Sequence, residues 1–285
     1  MRICRFRHGP GSVRVGVVTN DKLVVDLTHA GVTSVHPLIE HEDPVGELQR
    51  VTGEDLPRFA LADVELCAPI EHQEVWAAGV TYLRSRTARM EESDFSATAY
   101  DRVYAAERPE IFFKSLPEKV VATDQPVGIR RDARWSVPEP ELALVLSSRG
   151  RLVGCTIGND MSSRDIEGEN LLYLPQAKIY DRSCALGPWI VVGTPESTAR
   201  EWTVRLDIRR GRHAVFSGET TVANITRSFD DLAAFLFRCQ TFPHGAVLLT
   251  GTGIVPPDDF TLQPADDVRI AISGIGTLEN PVIVV

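Results

Sequence analysis

Val137-Pro138-Glu139-Pro140-Glu141-Leu142-Ala143-Leu144-Val145-Leu146 opens on two carboxylates and runs into an unbroken apolar segment. Read as a β-strand, it sends Glu139 and Glu141 to the same face, because side chains alternate with period two. After the next apolar run comes Gly158-Asn159-Asp160-Met161-Ser162-Ser163-Arg164-Asp165, which supplies a third carboxylate at Asp160. Neighbouring carboxylates repel unless a proton or cation lies between them. Three such groups with no His or Cys nearby suit Mg2+, Mn2+ or Ca2+ rather than zinc. The competing reading of the Glu pair is a solvated strand face. Asp165 is an alternative ligand, or else a hydrogen-bond acceptor near a helix start that orients Arg164 or Lys178.

The chain has 285 residues, 43% of them hydrophobic and 24% charged, an ordinary globular composition that needs no disulfide or structural metal to build a core. Its net charge of −9 argues against a nucleic-acid or anionic-membrane partner, though a locally positive site for a small anion is compatible with it. Cys4, Cys67, Cys155, Cys184 and Cys239 are scattered and odd in number, as expected of reduced thiols in a cytoplasmic protein. No signal peptide and no apolar run long enough to span a bilayer is evident. Neither GxGxxG nor GxxxxGK[ST] occurs, which counts against nucleotide use.

Residues 1–70 read as a small β-rich domain with a hairpin through Val13–Val18 and Leu23–Leu27, and an ambiguous stretch from Leu48 to Phe59 that admits a short helix. Residues 71–285 read as the catalytic domain. Val75–Val80 and Ile111–Lys114 are expected strands, separated by a helix-favouring segment from Leu83 to Glu107. Further strands are expected at Glu141–Leu146, Leu152–Gly158, Trp189–Val192, Thr203–Arg209, Ala246–Thr250, Asp267–Ile272 and Gly276–Val285, with one helix at Ser228–Cys239. Many strands and few helices favour a barrel-like or sandwich-like β core over a doubly wound sheet.

Pro138–Glu141, Gly158–Asp165, Lys178, Leu186-Gly187-Pro188-Trp189 and Thr250-Gly251-Thr252-Gly253, in this order, resemble the motifs of the fumarylacetoacetate hydrolase family, from about Trp76 to the C-terminus. The resemblance implies a mixed α/β, mostly β fold, a β-roll behind the small N-terminal domain, assembled as a homodimer or homotetramer. It matches Glu139, Glu141 and Asp160 to the metal-binding carboxylates, Lys178 to the active-site lysine and Thr250 to the threonine of a substrate loop.

One departure matters as much as the match. Hydrolases of the family carry Asn-Tyr-x-x-His-x-x-Glu after the first catalytic-domain strand, and its His-Glu pair activates water. Here Thr81-Tyr82-Leu83-Arg84-Ser85-Arg86-Thr87-Ala88 puts Ser85 and Ala88 at those places. The phrases Gly79–Arg86, Arg108–Lys114, Arg164–Lys178 and Tyr180–Pro188 resemble the branch that dehydrates 2-keto-3-deoxy-arabinonate. That branch implies a small anionic 2-keto acid substrate, held by Mg2+ (with Mn2+ and Ca2+ as alternatives), whose C3 protons are acidified and whose C4 hydroxyl leaves as water to give 2,5-dioxopentanoate. An acylpyruvate or diketo-acid hydrolase and an inactive ligand-binding homologue are the alternatives.

Within that reading Lys178 binds the carboxylate, polarises the keto oxygen or acts as base. Glu110 is the candidate acid or base at C3 and C4, against a surface Glu beside a helix end. Ser85, Arg86, Lys114 and Thr250 are the candidate substrate contacts, with a solvated lysine and a tight turn as the plain readings of the last two.

Overall fold

The computed structural model describes residues 1–82 and 102–285. The N-terminal strands are β1 (Arg2–Arg7), β2 (Arg14–Thr19), β3 (Leu23–Asp26), β4 (Arg58–Ala60) and β5 (Glu65–Cys67). Next come β6 (Glu74–Gly79), β7 (Glu110–Ser115), β8 (Val127–Ile129), β9 (Ser136–Val137), β10 (Pro140–Leu146), β11 (Leu152–Asp160), β12 (Ser162–Ser163) and β13 (Cys184–Val192). β14 (Thr203–Arg210), β15 (His213–Thr221), β16 (Ala246–Leu249), β17 (Asp266–Ile272) and β18 (Gly276–Val284) follow. The helices are α1 (His36–Glu40), α2 (Pro44–Val51), α3 (Arg164–Glu169), α4 (Leu174–Lys178), α5 (Glu196–Ala199) and α6 (Phe229–Phe237).

The large sheet runs β4-β3-β2-β1-β13-β11-β10-β16-β6-β7, with β5 also on β1. The N-terminal strands are thus one continuous sheet with the rest, because Arg2 and Ile3 of β1 lie opposite Val191 and Ile190 of β13. A five-stranded sheet, β15-β14-β17-β18-β8, packs beside it, and β9 pairs with β12.

The apolar run in β10 is buried on both faces. Leu142, Leu144 and Leu146 enter one core cluster, while Ala143 and Val145 enter the other. This double burial explains why the run is apolar throughout instead of alternating. Glu139 and Glu141 share the parity of Ala143 and Val145, so they continue that face beyond the end of the apolar layer.

The observed strands follow the expected ones within a few residues. α2 starts before the ambiguous stretch and overlaps its first residues, 48–51, because Asp43 caps it by accepting from the Gly46 amide at 2.9 Å and Pro44 starts its first turn. α6 is capped in the same way by Ser228, which accepts from the Asp231 amide at 3.1 Å. The helix expected between Leu83 and Glu107 lies mostly outside the described residues; 102–105 are helical. Among the described residues no helix is long and apolar enough to cross a membrane.

Strand direction brings the chemistry to one end of the large sheet. β16 and β6 are parallel, β10 is antiparallel to β16, β11 to β10 and β7 to β6. The C-terminal ends of β6, β11 and β16 therefore meet the N-terminal ends of β7 and β10.

Candidate active site

The ladder between β10 and β11 pairs Pro140 with Asn159 and Glu141 with Gly158. The Glu139 carbonyl extends it by accepting from the Asp160 amide at 3.0 Å, so Glu139 faces Asp160 directly and Glu141 is their same-face diagonal neighbour. Ligand atoms of Glu139, Glu141 and Asp160 all lie within 4.8 Å of one another. Each residue is at most 2% exposed.

Three buried cations surround the triad. Lys178, at the end of α4, donates to Glu139 Oε2 at 2.9 Å, Asp160 Oδ2 at 3.3 Å and Ser162 Oγ at 2.5 Å. Arg164, the first residue of α3, donates to Glu139 Oε1 at 2.9 Å. Lys114 on β7 pairs with Asp160 Oδ1 at 2.5 Å and donates to the carbonyls of Met161, at 3.0 Å, and Lys178. Buried charges persist only when paired in this way. Glu141 has a different environment: its Oε2 accepts from the Gly251 amide at 2.6 Å. Burial, with Asp160 and Glu139 beside it, pushes its carboxyl well above the usual carboxylate range, against the opposing pull of Lys178 and the Gly251 amide.

The triad borders a void of about 10 Å³ that is also walled by Ala78, Gly79, Val80, Phe112, Lys178, Gly251 and Thr252. That is room for one ion or one water. An all-oxygen donor set of this size and spacing fits a hard divalent cation, and Glu139, Glu141 and Asp160 are the residues that would hold it.

Two backbone features shape the void. Gly251 has φ +89°, and a Cβ there would lie 2.1 Å from Thr81 Oγ1 and 3.0 Å from the Ala78 carbonyl. Gly251→Ala is therefore expected to cost about 1–3 kcal/mol from backbone strain alone, more once the clash is included, read as a lowered denaturation midpoint. Val80 is β-branched yet has φ 55°, a sparsely populated conformation held in the wall of the void.

The expected site residues divide into those at the void and those beside it. Lys178 lines the void. Lys114 stands behind the triad, its ammonium committed to Asp160 and two carbonyls rather than offered to a ligand. The Thr250 hydroxyl donates to the Leu142 carbonyl at 2.9 Å, and the residues of that loop lining the void are Gly251 and Thr252. Asp165 is outside the triad, its Oδ2 accepting from the Arg134 amide at 2.7 Å. Ser85 and Arg86 lie outside the described residues. Burial pushes the Cys184 thiol up to about 12, which suits an inert core residue rather than a nucleophile.

Glu110 opens β7 opposite Gly79, where a Cβ would sit 2.0 Å from Glu110 Oε2. Gly79 lines the triad void, while Glu110 lines a second cavity of about 300 Å³ together with Val103, Arg108, Pro109, Glu167, Leu171 and Leu174. The absence of a side chain at Gly79 lets the Glu110 carboxyl lie against its backbone. Arg164 and Glu167 are functional candidates that the sequence reading did not single out.

Residues 75–283 match the family described as Fumarylacetoacetate (FAA) hydrolase C-terminal. The chain belongs to the fumarylacetoacetate hydrolase family. Residues 1–69 match a separate family, Rv2993c-like, N-terminal. A relative from Haloferax volcanii, described as a probable 2-keto-3-deoxyxylonate dehydratase, is 46% identical over 228 residues, 80% of this chain and 78% of its own. The 2-dehydro-3-deoxy-D-arabinonate dehydratase of Saccharolobus solfataricus is 38% identical over 93% of this chain and 91% of its own. A solved structure described as 2-keto-3-deoxy-D-arabinonate dehydratase complexed with magnesium and 2,5-dioxopentanoate covers 100% of this chain and 99% of its own, at 31% identity and a TM-score of 0.83.

Proposed function

We propose that this protein is a Mg2+-dependent hydro-lyase that dehydrates a 2-keto-3-deoxy sugar acid, with 2-keto-3-deoxy-D-arabinonate to 2,5-dioxopentanoate plus water as the best-fitting reaction. The observation that carries the reading is the buried triad of Glu139, Glu141 and Asp160 beside Lys178, in a chain whose relatives at 46% and 38% identity are described as dehydratases. Ser85 and Ala88, in place of a water-activating His-Glu pair, favour expulsion of water over its use. The finer assignments that accompany this reading are Mg2+ over Mn2+ or Ca2+, a division into an N-terminal domain (1–70) and a catalytic domain (71–285), a cytoplasmic location, and a homodimer or homotetramer.

A divalent ion held by the triad supplies positive charge against the oxygen at C2 as a C3 proton leaves. Lys178, its donors shared among Glu139, Asp160 and Ser162, is an ammonium that adds positive charge to the same void and fixes the two carboxylates. The Gly251 amide fixes Glu141. Glu110, set against Gly79 and lining the neighbouring cavity, is the residue we assign to take that proton. A cavity of about 300 Å³ lies at the small end of ligand pockets, which suits a five- or six-carbon chain.

The purified protein is expected to convert 2-keto-3-deoxy-pentonate to an aldehyde product only with Mg2+ present, and to lose that activity in EDTA. Cleavage of an acylpyruvate at a higher rate would replace this reading with the hydrolase one.

A further inference from the structure

We propose that Glu167 is the second acid–base residue of this site, serving C4 and C5 of the sugar acid while Glu110 serves C3; the proposal rests on the dehydration reading above.

The reaction needs more proton transfers than a simple elimination. Loss of a C3 proton and the C4 hydroxyl forms a C3=C4 double bond and leaves C5 as an alcohol. An aldehyde at C5 then requires removal of one hydrogen from C5 carbon and return of a proton to C3. The double bond thereby moves to C4=C5, giving an enol that becomes the aldehyde when C4 gains a proton and the C5 hydroxyl loses one. Two carboxyls close this cycle without any co-reactant. Glu110 takes the C3 proton, while Glu167 gives its proton to the departing C4 hydroxyl, which leaves as water. Glu167, now a carboxylate, takes a C5 proton, Glu110 returns its proton to C3, and both groups regain their starting states.

The placement matches the order of the carbons. Glu110 lies against Gly79, which lines the triad void, and so is the carboxyl assigned to the anchored end of the substrate. Glu167 lines the same 300 Å³ cavity as Glu110 and neither lines the triad void; Glu110 is the one set against Gly79, which does, and this assigns Glu167 the carbons further along the chain. It is 2% exposed, and the cavity around it is walled by Val103, Arg108, Pro109, Leu171 and Leu174. The cycle starts with one carboxylate and one acid on a cavity that Arg108 also lines. α3 ties the two functions together, because the helix that carries Glu167 begins with Arg164 on Glu139.

The test separates C3 chemistry from the rest. With Mg2+ in D2O, 2-oxobutyrate has C3 protons but no C4 hydroxyl, so NMR reads C3 exchange alone. Glu110→Gln is expected to slow both exchange and turnover of 2-keto-3-deoxy-pentonate by about 10²–10⁴-fold. Glu167→Gln is expected to exchange C3 within about threefold of wild type while turnover falls by about 10²–10⁴-fold, and Glu167→Asp to recover part of it. Stabilisation by 2-oxobutyrate in a thermal melt verifies that each variant is folded and binds. Wild-type turnover in Glu167→Gln overturns the proposal, as does loss of exchange together with turnover in both Glu167 variants. A wild-type protein that exchanges C3 yet makes no 2,5-dioxopentanoate removes the dehydration reading itself, and the Glu167 role with it.

Discussion

Glu141→Gln is expected to abolish measurable Mg2+-dependent turnover, a loss of about 10³-fold or more, while leaving the metal-free protein at least as stable as wild type at neutral pH. The two halves of this expectation share one cause. Glu141 is buried, faces Asp160 and Glu139, and its carboxyl is pushed well above the usual range by burial first and those neighbours second. Between the ordinary value of 4.5 and the raised one, the folded state binds more protons than the unfolded state. Stability of the metal-free protein therefore falls as pH rises through that window, and the effect vanishes below the ordinary value, where both states are protonated. Glutamine keeps the shape and the Gly251 contact but carries no charge, so the variant escapes this loss. It also lacks the anionic oxygen that a hard cation needs, so stabilisation by Mg2+ shrinks. Thermal melts of both proteins, with and without Mg2+ from pH 4 to 8, measure each half. Equal stabilisation of wild type and variant by Mg2+ would remove Glu141 from the ligand set.

The triad was legible before any coordinates because strand parity relates Glu139 to Glu141, and one hairpin between β10 and β11 brings Asp160 opposite them. Such local, period-two relations survive into the fold. The strands around the triad were legible for a similar reason, since Ala246–Leu249 and Pro140–Leu146 are buried on both faces and read as continuous apolar runs. β15 was not recognised: it is an edge strand with an exposed face, and His213–Thr221 holds too few apolar residues to signal it. The pairing of Arg164 and Lys114 with the triad was hidden for another reason. Arg164 and Lys114 sit in polar or mixed stretches that read equally well as surface, and only the closure of β9 on β12 and of β7 on β6 buries them. The Thr-Gly-Thr loop shows the limit of motif reading at single-residue scale. Its backbone turn puts Gly251 and Thr252 at the void, while the Thr250 hydroxyl turns back to β10. Glu167 belongs to a helix whose acidic residues gave no sign of which one faces a cavity.

Lys114→Met is expected to destabilise the metal-free protein by about 3–5 kcal/mol, the cost of removing one partner of a buried ion pair. Lys114 is fully buried, and its ammonium serves Asp160 Oδ1 and the carbonyls of Met161 and Lys178. Methionine fills much of the same volume, so the loss reports charge and hydrogen bonding rather than a cavity. Asp160 keeps its 3.3 Å contact with Lys178, which holds the cost toward the lower end of that range. The same replacement at exposed Lys22 is expected to change stability by no more than about 0.5 kcal/mol. Urea unfolding at pH 7 reads both, with the slope unchanged if only stability has moved. Mg2+ sharpens the comparison. With Lys114 gone, the triad loses one of its three buried cations, and a divalent cation restores more stability to the variant than to wild type. If Lys114 instead met the substrate, the variant would unfold within about 1 kcal/mol of wild type and its defect would fall on KM. The sign and size of the Mg2+ effect thus decide whether this lysine braces Asp160 for the metal or reaches past it to the keto acid.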